Sequence, residues 1–185
     1  MENRPRKPTK EEVEAAVDRT VPDLIAPDLT ILFSGINPSL YSAAVGQHFA
    51  RPGNRFWPTL FAAGLTPRLL LPSEGTELLG LGYGITNIVA RATRLADELS
   101  RDELQAGMAI LERKAAKFRP KTLAFLGITA YRAAFGRNEA KIGLQPERIA
   151  DSTVWVLPNP SGLNAHYQLR DLASLFKDLK QASDS

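Results

Sequence analysis

The chain has 185 residues, 44% of them apolar and 23% charged, with a net charge of +3. That balance suits one folded domain with a sizeable core, and no apolar run approaches the roughly 20 residues a membrane-spanning helix needs. With no cysteines and only two histidines, the sequence excludes disulfides, thiolate zinc sites, iron–sulfur clusters and multi-histidine metal sites, and fits a reducing cytoplasm.

Residues 1–10 gather Arg4, Arg6, Lys7 and Lys10 around Pro5 and Pro8 and read as a disordered basic tail. No secretory signal is expected from so polar a start. Residues 11–185 read as a single domain. Glu11 to Val17 suits a short helix, and Pro22 to Pro27 a connector. Leu29 to Gly35 is a buried strand, stopped by Asn37-Pro38-Ser39. Ser39 to Pro52 lacks periodicity and reads as a loop. Asn54 to Ala63 reads as a helix with Phe56, Trp57, Leu60 and Phe61 on one face, and Pro58 tolerated in its first turn. A short helix is expected around Ser73 to Leu79, then a second buried strand from Tyr83 to Val89.

Ser100 to Phe118 carries the clearest helical signal. Ser100 and Glu103 form a capping-box pattern, and Leu104, Met108, Leu111, Ala115 and Phe118 follow helical spacing. A third strand spans Thr122 to Gly127, with a helix from Thr129 to Phe135. Gly136 to Ser152 is a polar stretch. The fourth strand, Val154 to Leu157, runs into a second Asn-Pro-Ser at Asn159-Pro160-Ser161, and Leu169, Leu172, Phe176 and Leu179 mark a last amphipathic helix. Strands alternating with helices predict a three-layer α/β/α sandwich around a mainly parallel four-stranded sheet. Both Asn-Pro-Ser loops then lie on the sheet edge where open α/β folds place their ligand crevice.

There is no phosphate loop, no dinucleotide fingerprint and no nucleophile elbow. What remains is polar but mostly neutral. Asn37 has an amide that both donates and accepts, suited to holding a water or reading a base edge; equally, Asn-Pro is a common turn dipeptide. His48 to Trp57 packs two arginines, a histidine and three aromatics into ten residues, a mixture that suits base stacking with phosphate contact. Phe56 and Trp57 belong to the helix pattern, which leaves Phe49 as the stacking candidate. In Ser161-Gly162-Leu163-Asn164, Leu163 has no periodicity to explain it. It suits a wedge between bases, or a loop residue tucked onto the core. Asp97 is a candidate for activating a water, or else a solvated loop residue. Arg91 and Arg94, in the same irregular segment, are candidate phosphate contacts, as is Arg51.

Four of these segments together resemble the mismatch-specific uracil-DNA glycosylases, bacterial relatives of thymine-DNA glycosylase within the uracil-DNA glycosylase superfamily. They are Gly35-Ile-Asn-Pro-Ser39, the run from Phe49 to Trp57, Gly84-Ile-Thr-Asn-Ile-Val89, and Trp155-Val-Leu-Pro-Asn-Pro-Ser-Gly-Leu163. The likeness is collinear over roughly residues 22 to 180. It implies excision of uracil, and of ethenocytosine or other altered pyrimidines, from G·U mismatched duplex DNA, leaving an abasic site. It implies that Asn37 positions the attacking water. Ile36, Ser39, Phe49 and Asn87 would contact the flipped base. Ser161, Gly162, Leu163 and Asn164 would fill the hole in the helix and read the widowed guanine. It further implies no metal, no cofactor, a monomer, a double-stranded DNA partner, no membrane, and a bacterial cytoplasm with nucleoid association. Ser39 stands where the family has glycine, which opens the question of substrate range. A noncatalytic DNA-damage or single-strand binding module on the same fold, and a free-nucleoside hydrolase, are the alternatives.

Overall fold

The computed structural model describes residues 6–184. Arg4 and Pro5 of the expected tail therefore lie outside the described residues. From Arg6 onward the chain is tied to the first helix, α1 (Lys10–Glu14). Thr9 caps it, exchanging hydrogen bonds with Glu12 in both directions, and Arg6 pairs with the Glu12 carboxylate.

Four parallel strands form most of the sheet: β1 (Ile31–Gly35), β2 (Tyr83–Asn87), β3 (Thr122–Leu126) and β5 (Ser152–Leu157). A further strand, β4 (Gly143–Ile149), pairs antiparallel with β5, and the order across the sheet is β2-β1-β3-β5-β4. The sheet thus has five strands, not the four expected. β4 falls inside the stretch that reads as polar and irregular. It is an edge strand with Pro146 in it, and its register with β5 slips between Leu144 and Arg148. An edge strand lacks the two buried faces that produce an apolar run, and proline is tolerated where no ladder donor is needed.

The alternation of side chains along the parallel strands explains the layers. Ile31, Phe33, Tyr83, Ile85, Ala124 and Leu126 face one way, against α3 (Phe56–Ala62), α4 (Glu77–Gly80) and α7 (Leu169–Asp184). Leu32, Leu123, Phe125, Val154 and Val156 face the other way, against α5 (Arg101–Phe118) and α6 (Ile128–Phe135). Phe33 centres the first layer, its ring 5.5 Å from Phe56 and 5.8 Å from Phe176. The expected capping box of α5 is present, with Ser100 Oγ accepting from the Glu103 amide.

The segment after β1 differs from expectation. It holds a helix, α2 (Leu40–Val45), with Ser39 as its N-cap and Gly46 in the left-handed region as its C-cap. Asn-Pro-Ser is therefore a strand stop followed at once by a helix start. Six residues are too few for a hydrophobic period to show.

The close approach of α5 to the sheet also bears on the site. A Cβ at Gly107 would stand 2.2 Å from the Ile88 carbonyl oxygen, immediately beyond the end of β2. Ile88 and Val89 donate their amides to the carbonyls of Gly35 and Ile36, so α5 presses on the strand ends. Gly107→Ala gains about 1 kcal/mol of helix propensity but forces this contact apart. Net destabilisation of about 1–3 kcal/mol is expected from overpacking, read as a lower urea midpoint; an unchanged or raised midpoint would refute the close approach.

Candidate active site

A crevice of about 360 Å³ opens where the parallel strands end. Gly35, Asn87 and Leu126 bring the ends of β1, β2 and β3 to it. The chain leaves β1 for neighbours on both sides, β2 and β3, so the crevice sits where the strand order reverses. Both Asn-Pro-Ser loops reach it, through Asn37 and Ser39 from the first and Asn159 and Ser161 from the second.

Asn37 is held in one orientation. Its Nδ2 donates to the Arg91 carbonyl at 3.0 Å and to Thr93 Oγ1 at 2.7 Å. A carbonyl can only accept, so the group facing Arg91 must be the amide nitrogen. Thr93 spends its own proton on the Leu95 carbonyl at 2.7 Å, which leaves its lone pair for Asn37. Oδ1 of Asn37 is the end left for a ligand. Thr93, 2% exposed, was not among the residues the sequence singles out. Its segment was, but nothing in the spacing marks a hydroxyl there as the partner of an amide 56 positions earlier.

Gly35 carries the base of the crevice. A Cβ on it would stand 2.5 Å from Asn87 Oδ1 and 3.3 Å from Phe49 Cζ. The Asn87 amide and the Phe49 ring thus meet over a bare Cα. Phe49 lies in the left-handed region with φ +52, and its ring stacks on Phe56 with centroids 4.2 Å apart. Ile36 and Ser39 line the crevice as well. The Ser39 hydroxyl, however, is taken up by the cap, accepting from the Ser42 amide and donating to Ser42 Oγ.

The charged residues divide. Arg51 and Arg94 are exposed at the crevice, and neither guanidinium forms an ion pair among the described residues. Arg91 is a correction. Its guanidinium grips Glu103 at 2.6 and 3.1 Å and Asp18 at 3.1 Å. The Arg91 hydrogen bonds hold the Glu103 carboxyl down at about 2. Arg91 is a strut between α5 and the residues after α1, and its part in the site is its carbonyl. Asp97 is a second correction. It lies exposed in a 3₁₀ turn, Ala96–Glu98, and the residues of that turn region that line the crevice are Leu95 and Ala96. The Glu98 carboxylate binds the Leu95 amide at 2.8 Å and so closes the turn. Among the described residues that line the crevice there is no carboxylate and no lysine.

The second loop is folded on itself. Asn159 Oδ1 accepts from the Ser161 amide, Ser161 Oγ accepts from the Leu163 amide, and Asn164 Nδ2 donates to the Asn159 carbonyl. Gly162 packs on Gly53, whose carbonyl oxygen is 2.6 Å from where a Cβ would be. Leu163 is 65% exposed at the loop tip. Arg55, the second of the two arginines between His48 and Trp57, turns inward and donates to three carbonyls of this loop region: Ser161, Asn164 and Tyr167.

Residues 22–180 match the uracil DNA glycosylase superfamily, and the chain belongs to that family. Its fold is also that of a solved protein from Methanosarcina acetivorans, known from a solution NMR structure and provisionally assigned as a uracil DNA glycosylase. That likeness has a TM-score of 0.56 and 18% sequence identity, over 89% of this chain and 99% of the other.

His48 also lines the crevice but is only 5% exposed, with Nε2 2.8 Å from the Pro22 carbonyl. Burial pushes its pKa below the ordinary value of 6.5, against the opposing pull of the Pro22 bond and Asp23. A group that binds its proton less readily when folded weakens the fold wherever the unfolded chain protonates. Stability should therefore fall as pH drops below about 6.5, and level off only below the folded-state pKa. His48→Gln should flatten that slope, measured as urea midpoints from pH 7.5 to 5; parallel slopes in the two proteins would show that His48 does not contribute.

Proposed function

We propose that this protein is a DNA glycosylase that flips uracil, and other altered pyrimidines, out of G·U mismatched duplex DNA and hydrolyses the N-glycosidic bond, leaving an abasic site. The observation that carries the reading is the Asn37 amide, tethered through its nitrogen, with Oδ1 unpartnered among the described residues, in a crevice at the strand ends. A target base cannot be reached inside a duplex, so extrusion costs a few kcal/mol, and least for a mispaired base. Phe49 offers its ring to the extruded base while Phe56 backs it. Asn87, at the crevice floor beside Gly35, supplies an amide for the base edge. Leu163 enters the emptied stack, with Ser161, Gly162 and Asn164 beside the widowed guanine. Arg51 and Arg94 meet the phosphates.

The chemistry follows from a neutral pocket. As the C1′–N bond breaks, its electron pair leaves with the uracil ring, and neutral donors stabilise that charge. The sugar becomes cationic and draws in a water, which Asn37 Oδ1 orients by accepting one of its protons in a hydrogen bond. An amide does not take the proton at neutral pH. The water loses it to solvent as its oxygen bonds to C1′, when its acidity has risen sharply. With no lysine among the described residues that line the crevice, no Schiff base forms, and the product is an intact abasic strand. The enzyme acts as a monomer.

Oligonucleotides carrying G·U, A·U, G·T, ethenocytosine or single-stranded uracil, treated with alkali after incubation, should show strand cleavage at G·U. No cleavage of any uracil substrate would reject the enzyme reading. Asn37→Ala should lower single-turnover excision by about 10²–10³-fold while still binding the duplex; binding and excision both unchanged would assign Asn37 to the turn alone. Thr93→Val removes one of the two hydrogen bonds that tether the amide, leaving the Arg91 carbonyl. Excision should fall on the order of tenfold with duplex affinity unchanged, and an unaltered rate would show that the amide needs no such hold.

A further inference from the structure

We propose that Arg55 is a positioning residue that holds the 158–164 loop in its inserting shape from inside the protein. The proposal rests on the glycosylase reading above, because it takes Leu163 as the wedge. Arg55 Nη2 donates to the carbonyls of Ser161 at 2.7 Å and Asn164 at 2.8 Å, and Nη1 donates to that of Tyr167. Its backbone amide donates to the Pro160 carbonyl at 2.9 Å. These carbonyls stand on both sides of Leu163, so one planar fork spans the base of the tip. Its Nε is buried with no partner. A guanidinium so placed is spent on the loop and cannot also reach a phosphate.

The position of Arg55 in the chain adds a second consequence. It is the N-cap residue of α3, next to Phe56, whose ring backs Phe49. Gly53, two residues earlier, packs against Gly162. A single segment therefore supports the ring that meets the flipped base and the loop that fills the gap. A loop ordered before DNA arrives does not lose that freedom on binding. Arg55 thus acts through Leu163 and not by touching DNA. Lysine keeps the charge but has no fork with which to bridge separate carbonyls.

Arg55→Gln and Arg55→Lys should each lower single-turnover G·U excision on the order of tenfold. Each should also weaken the fluorescence rise of 2-aminopurine placed beside the uracil, which reports wedge insertion. In a Leu163→Ala background the same substitutions should cost less than about twofold, because neighbours acting through one element are not additive. The salt dependence of duplex binding should not change. Additive losses would overturn the proposal. So would rescue by lysine together with a salt slope lower by about one in Arg55→Gln, the mark of a phosphate contact.

Hydrogen exchange, compared between the unsubstituted protein and Arg55→Gln, tests the clamp without activity. The amides of Ser161, Leu163 and Asn164, which donate to Asn159 Oδ1, Ser161 Oγ and the Ser161 carbonyl, should exchange at least about tenfold slower than in an unstructured peptide. Exchange at the peptide rate would overturn the proposal, whatever the excision assay shows. Equal protection in Arg55→Gln would overturn it too, since these amides bond within the loop; protection lost in Arg55→Gln, in a protein that excises nothing, would instead reject the glycosylase reading and retain the clamp.

Discussion

The bare Cα of Gly35 is where the sheet becomes a site. β1 lies between β2 and β3, and its last residue, Gly35, pairs with Asn87 at the end of β2. The Asn87 amide and the Phe49 ring close over it at distances that leave no room for a methyl group. Everything else in the crevice is measured from that contact. Asn37 stands two residues beyond it, Phe56 supports the ring above it, and the amides of Ile88 and Val89 continue the ladder on its far side. The interior behind it is packed from both faces of the sheet, so the strand ends cannot shift without disturbing Phe33 or its neighbours.

Polar groups in the crevice are arranged by hydrogen bonds more than by charge. The Asn37 amide is oriented by a carbonyl and a hydroxyl, and that hydroxyl is itself oriented by another carbonyl. Such a chain defines which atom faces a ligand while adding no net charge. The full charges nearby are kept at the margin or paired off. Arg91 is neutralised by Glu103 and Asp18, and only its carbonyl works toward the crevice. Among the described residues, Arg51 and Arg94 have no ion-pair partner at the rim. Under the proposed glycosylase reading, charge appears in both the sugar and the base during one step, and neutral dipoles already in place suit that demand.

Much of this architecture is legible in the order of residues. The parallel strands appear as apolar runs because both their faces are buried, and α5 appears because Ser100, Glu103 and a helical stripe agree. The two Asn-Pro-Ser endings identify the crevice edge. The edge strand β4 does not appear, since half of it faces solvent and Pro146 interrupts it. α2 does not appear, since it is shorter than two helical periods. Among the residues lining the crevice, Asn37, Phe49 and Leu163 can be singled out by type and position, and Asn87 only through the family resemblance. Thr93 cannot, and the roles of Arg55 and Arg91 are not readable at all. An arginine has the same composition whether it faces phosphate or a carbonyl, and only the path of the backbone around it settles which.

By itself, then, the amino-acid sequence determined the layered fold, the crevice edge and the kind of residue available there, because these follow from periodicity, punctuation and side-chain chemistry. Tertiary structure alone decided the direction of each polar group. It turned Arg55 inward, paired Arg91 with Glu103, left Asp97 outside the crevice and put Thr93 against Asn37. Those outcomes depend on contacts between segments from 12 to more than 100 residues apart, and on which donor finds an acceptor when the strands come together. Local spacing carries no record of them.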